Sequence, residues 1–130
     1  MLIGNRLSSP KYERDRIESF LLVSRLNSES ESMSITLVEM KANGIQKPHK
    51  HIAEQVYYLL NGTGLMQIGN EKRQVTSGDC VFIPSNEEHS LINIGNRPLT
   101  YLSACSPGFS KEQCKTLWPL PPIETEAEKK

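Results

Sequence analysis

Between residues 34 and 106 the chain is interrupted at short intervals by residues that turn a backbone, and this limits what it can fold into. Asn43-Gly44, Asn61-Gly62, Gly69-Asn70, Ser77-Gly78-Asp79, Pro84 and Gly95-Asn96 separate runs of only a few residues each. Those runs are rich in β-branched, aliphatic and aromatic residues: Ile35 to Val38, Gln55 to Leu60, Leu65 to Ile68, Lys72 to Val75, Cys80 to Ile83, Leu91-Ile92 and Leu99 to Cys105. Gly69-Asn70-Glu71 reads as a hairpin turn, because Gly and Asn tolerate positive φ. No window in this stretch has helical periodicity. The expected class is all-β, an antiparallel sandwich or barrel rather than alternating strand and helix units.

The two ends differ in character. Residues 1–33 form an N-terminal extension in which Ile17, Phe20, Leu22, Val23 and Leu26 are apolar enough to want burial. They are expected to add an edge strand to this chain's sheet or to a partner's, or to form a short helix. Ser28 to Ser32 is a polar, low-complexity loop. Residues 107–130 carry Trp118-Pro-Leu-Pro-Pro122, which cannot continue a sheet because Pro donates no backbone hydrogen bond, and end in a frayed tail from Glu124.

With 130 residues there is room for one domain and one core. A formal net charge of zero gives nucleic acid and anionic membranes no electrostatic reason to bind. The longest early apolar run, Phe20 to Val23, is far below the ~20 residues a bilayer needs. Cys80, Cys105 and Cys114 are odd in number and widely spaced, which suits reduced thiols and a cytoplasmic protein. Cys105, next to an apolar run, is a candidate for a ligand pocket.

All three histidines fall into one pattern. His49 and His51 are two apart and Gln55 follows four later, so on a strand all would point to one face, with Lys50 and Glu54 on the other. His89 follows the turn at Pro84-Ser-Asn86, which would bring a second strand alongside. Neutral imidazoles are good donors to divalent transition metals, and a fourth, neutral donor leaves open coordination positions. Glu54 is the competing acidic ligand but has the wrong parity. Tyr57 shares the inward parity of Gln55 and is a second pocket candidate.

These residues resemble the two motifs of the cupin superfamily. The first is Gly, His-x-His, an acidic residue and Gly at fixed intervals, here Gly44, His49, His51, Gln55 and Gly62. The second is Gly, Pro-x-Gly, His and Asn, here Gly78, Pro84-Ser85-Asn86, His89 and Asn93. One residue is missing between Gly44 and His49, Asn86 stands for a Gly, and Gln55 stands for the acidic ligand. The resemblance implies an antiparallel double-sheet jelly-roll barrel over residues 34–106. It implies one metal (manganese, iron, nickel or zinc) on His49, His51, Gln55 and His89.

The functional expectation is a metal-dependent protein binding or transforming a small oxygen-rich metabolite, as a Lewis-acid isomerase or lyase or as a dioxygenase. The alternative is a binding module without turnover. No catalytic base can be named from the sequence. A homodimer is expected, because a small barrel with an apolar N-terminal segment has a surface to cover.

Overall fold

Side chains alternate along residues 34–40, and that alternation gives the six-stranded sheet its inner face. In the computed structural model of the chain, which describes residues 1–110, Ser34, Thr36, Val38 and Met40 are buried while Ile35, Leu37 and Glu39 are half-exposed. This is the period of two that a pleated strand imposes. The strands in order are β1 Lys11–Arg14, β2 Ile17–Val23, β3 Ser34–Met40, β4 Ile45–His49 and β5 Glu54–Asn61, followed by β6 Thr63–Ile68, β7 Glu71–Thr76, β8 Cys80–Ile83, β9 His89–Asn93 and β10 Leu99–Ser106. They form a six-stranded sheet, ordered β1-β2-β3-β10-β5-β8, and a four-stranded sheet, ordered β4-β9-β6-β7. Every pair is antiparallel. The all-β class is the one the turn spacing implies and the jelly-roll-like arrangement the one the resemblance implies, and no described helix is long and apolar enough to cross a membrane.

The N-terminal segment adds two strands. Asp15 and Arg16, both at positive φ, make the tight turn between β1 and β2. β2 pairs with β3 from Ile17↔Met40 to Val23↔Ile35, so the six-stranded sheet begins at residue 11. Gly62 alone joins β5 to β6, at φ +92; a Cβ there would lie 2.7 Å from the Leu99 Cα, so only glycine fits. The expectations about Cys114, Trp118 to Pro122 and the tail from Glu124 lie outside the described residues.

Register divides the interior between the sheets into two ends. Met40 pairs with Leu99 at one end, and with Leu59 and Leu91 forms a fully buried apolar core. Toward the other end the inward positions turn polar: Ser19, Thr36, Gln46, Gln55 and Ser103 are all buried. Buried polar side chains need partners, and the functional interest of the chain lies at this end.

Candidate metal centre

Each histidine reaches this end by a different route. His49 is the last residue of β4 and His89 the first of β9, and the two are register partners in the four-stranded sheet. Their ring centroids are 4.2 Å apart. His51 lies in the connection that crosses to the other sheet, with its ring 5.1 Å from that of His89 and 5.9 Å from that of His49. Gln55 is the second residue of β5, in the six-stranded sheet. The expectation that His49, His51 and Gln55 share one face of a continuous strand therefore needs correction. The chain changes sheets between residues 50 and 53, and the side chains converge because the sheets face one another.

The crossing connection is braced by the turn that precedes β9. The Asn86 N–H donates to the His51 carbonyl at 2.7 Å, and the Ser85 hydroxyl donates to the Ile52 carbonyl at 2.6 Å. Asn86 sits at φ +62, the left-handed conformation in which Asn is the best non-glycine residue. The Asn found in place of the motif's Gly thus preserves the turn. One histidine-bearing segment is held in place by the segment leading to another.

Hydrogen bonding fixes the tautomers. Nδ1 of His49 lies 2.8 Å from the Lys47 carbonyl, that of His51 2.9 Å from the Ala53 carbonyl, and that of His89 2.9 Å from the Glu87 carbonyl. A carbonyl only accepts, so in each neutral ring the proton is on Nδ1 and Nε2 presents a lone pair. Burial, then the neighbouring His89, pull the His49 pKa down to about 3 against the carbonyl's opposing effect. Burial likewise lowers His89 to about 4. Both rings are therefore neutral at neutral pH, the state that binds metal.

The ligand atoms of His49, His51 and His89 lie within 4.8 Å of one another. Nε2 of His89 is buried without a hydrogen-bond partner. Nε2 of His51 lies 3.0 Å from Oε1 of Gln55, which sets two acceptors face to face. A neutral ring carries one proton, and moving it to that Nε2 would leave the Ala53 carbonyl unsatisfied, whereas a cation satisfies both lone pairs. Two donors at about 2.1 Å on adjacent positions of an octahedral ion are themselves about 3.0 Å apart. The residues present suit a metal ion.

Ser103, which sequence reasoning missed, accepts a hydrogen bond from the Gln55 amide nitrogen at 2.7 Å and so directs the amide oxygen toward the histidines. The alternation Tyr101, Ser103, Cys105 along β10 was the available signal. Deeper in, the Tyr57 hydroxyl donates to Gln46 Oε1 at 3.1 Å and Gln46 Nε2 donates to the Tyr101 hydroxyl at 3.0 Å. Burial raises both tyrosine pKa values above their ordinary range. Phe109 packs edge-on against His51 at 5.5 Å.

A cavity of about 20 Å³ lies among Ser19, Thr36, His49, Gln55, Tyr57 and Ser103, enough for one water-sized group. Tyr57 lines it; Cys105, buried opposite Gln55 in the register, does not. Glu54, the competing acidic candidate, is exposed. A larger hollow of about 480 Å³ opens elsewhere, between β7 and β8, and contains no histidine. The donor chemistry is at the small cavity, so the larger hollow is not the site.

Comparison with known proteins agrees with the fold. An uncharacterized protein of Methanocaldococcus jannaschii is 44% identical over 70 residues, which is 53% of this chain and 56% of that protein, so the match spans little more than half of this relative's length. The oxalate-binding protein of Thermotoga maritima is 26% identical over 99 residues, 75% of this chain and 82% of that one. The structure of KdgF from Halomonas sp. superposes with a TM-score of 0.74 at 15% identity, covering 86% of this chain and 98% of the other. Residues 36–105 match the cupin domain family, and the chain belongs to it.

Proposed function

We propose that His49, His51, His89 and Gln55 hold one divalent transition metal (manganese, iron, nickel or zinc), and that the chain binds a small oxygen-rich metabolite there. The observation that carries this reading is the convergence of three imidazoles and one amide oxygen in a buried site, with Nε2 of His89 left without a hydrogen-bond partner. When bound, the metal supplies Lewis acidity to ligand oxygens. Because the protein donors are uncharged, the ion keeps its full positive charge, and an anion with two adjacent oxygens gains most from it. Oxalate, for which the Thermotoga maritima relative is named, is an anion of this kind.

The chain's residues then orient and enclose. Ser103 holds the Gln55 amide, Ser19 and Thr36 line the cavity, and Phe109 packs against the His51 ring. A catalytic reading, isomerase, lyase or dioxygenase, would further require a side chain that moves a proton. The described residues lining the cavity offer hydroxyls, amides and rings, and no carboxylate or amine. Of the lining groups able to move a proton, His49 is engaged as a ligand in this reading and burial holds the Tyr57 hydroxyl protonated, so the reading favours binding.

Titration calorimetry with oxalate tests it. The manganese-, iron-, nickel- or zinc-loaded protein is expected to bind oxalate at one site per chain, and the chelator-treated protein and His49→Ala are expected to show no heat. Equal binding with and without metal would overturn the reading.

A further inference from the structure

We propose that Ser19, Thr36 and Ser103 form a hydroxyl subsite beside the metal ligands, and that it donates to an oxygen of the bound metabolite that the metal does not hold. The proposal rests on the metal-and-metabolite reading above and narrows the class of ligand. The ligand is a compact oxyanion with a third, acceptor oxygen close to the two that face the metal. The pleat of β2 is the starting point. Ile17, Ser19 and Leu21 are buried and face the interior, while Glu18 is half-exposed and the Phe20 ring lies under Arg6 on the outer side. Ser19 is the polar member of that inward row. Thr36 on β3 and Ser103 on β10 are register partners on the same inner face, and Ser19 pairs with Val38, the next inward position of β3. The three residues are 1%, 5% and 3% exposed. All line the cavity of about 20 Å³, whose wall also includes the proposed ligands His49 and Gln55.

Hydrogen bonding around this cavity leaves hydroxyl protons over. Gln46 Oε1 accepts from Tyr57, Gln46 Nε2 donates to Tyr101, and the Gln55 amide oxygen is turned toward His51. Ser103 accepts from the Gln55 amide nitrogen and so keeps its own proton to give. Ser19 Oγ is buried with no hydrogen-bond partner. A buried hydroxyl in that state destabilises the fold, and a serine needs only to turn about its Cα–Cβ bond to meet an acceptor. The group that satisfies such a cavity is therefore an acceptor. Hydrogen bonds to an ionised oxygen are stronger than those to a neutral one, so an anion gains more here than water does. Volume sets the size, because room for one water-sized group admits a ligand oxygen and excludes a carbon chain on this side. Ser19 lies outside residues 36–105, which match the family, so the N-terminal segment contributes this donor.

Thermal melting and calorimetry of Ser19→Ala in the full chain test the proposal. Without metal the variant is expected to melt no lower than the wild type, because it removes a buried hydroxyl that bonds nothing. Its metal affinity is expected to stay within about twofold, whereas oxalate binding to the metal-loaded variant is expected to weaken at least about tenfold. Thr36→Val, which keeps the side-chain shape, is expected to weaken oxalate severalfold at unchanged metal affinity. A Ser19→Ala protein that fails to fold, or melts several degrees lower, makes Ser19 a structural residue and overturns the proposal. So does metal affinity that falls in step with oxalate affinity. Oxalate affinity left within about twofold overturns it as well, the cavity then holding water only, and the metal reading survives that result. No oxalate heat in the metal-loaded wild type defeats both.

Discussion

Removing the metal and lowering the pH should destabilise this protein by an amount that its buried imidazoles set. The perturbation is acidification of the chelator-treated chain from about pH 7.5 to about pH 5. In the folded state His49 and His89, with pKa values of about 3 and about 4, stay neutral throughout. Unfolded, each ring titrates near its ordinary value of 6.5. The unfolded state therefore binds more protons below about 6.5, and stability present above that value is lost as pH falls toward the folded pKa values. At pH 5 each unfolded ring is protonated about 1.5 units below its pKa, worth about 2 kcal/mol, so the pair costs about 4 kcal/mol. That figure requires only that both folded rings remain neutral at pH 5, so their mutual repulsion does not alter it. Against a typical total of about 5–15 kcal/mol it is a large fraction. Urea denaturation at several pH values reads it, and the double variant His49→Asn, His89→Asn should remove most of the slope. A fall of less than about 1 kcal/mol across this range, or an undiminished fall in the double variant, would refute the claim that both rings are buried and neutral.

Other substitutions probe the remaining parts of the centre. Gln55→Glu places a carboxylate at a 6% exposed position, so the metal-free protein should lose several kcal/mol while metal affinity rises at least about tenfold and oxalate binding weakens; melting curves with and without metal, with calorimetry, check all three. Ser103→Ala removes the acceptor for the Gln55 amide and should weaken metal binding about tenfold, about 1.4 kcal/mol, whereas Ser103→Thr keeps the hydroxyl and most of the affinity. Asn86→Gly should leave stability nearly unchanged, while Asn86→Val, forced to φ +62, should cost about 1–2 kcal/mol in chemical denaturation.

The turns were the most legible part of the fold, because each demands a residue type. The Gly69-Asn70 connection joins β6 to β7, and Asn86 adopts the left-handed conformation its motif position requires. The histidines were legible as a group because the chain has only three and all lie within the two motifs. Their mode of convergence was not legible. Parity along one strand is a local rule, and nothing local reveals that residues 50–53 carry the chain from one sheet to the other. Ser103 was hidden for a related reason: its role depends on its being an inward neighbour of β5, a contact between residues 48 positions apart. Ile17 to Val23 could be seen to need burial, but its pairing with β3 is also long-range.

The most direct test is a crystal structure of metal-supplemented protein with anomalous diffraction collected at the absorption edge of the added metal. One peak is expected between the two sheets, at about 2.0–2.2 Å from Nε2 of His49, His51 and His89 and from Oε1 of Gln55. A peak bound elsewhere, or these four side chains drawn apart with no ion among them, would contradict the account.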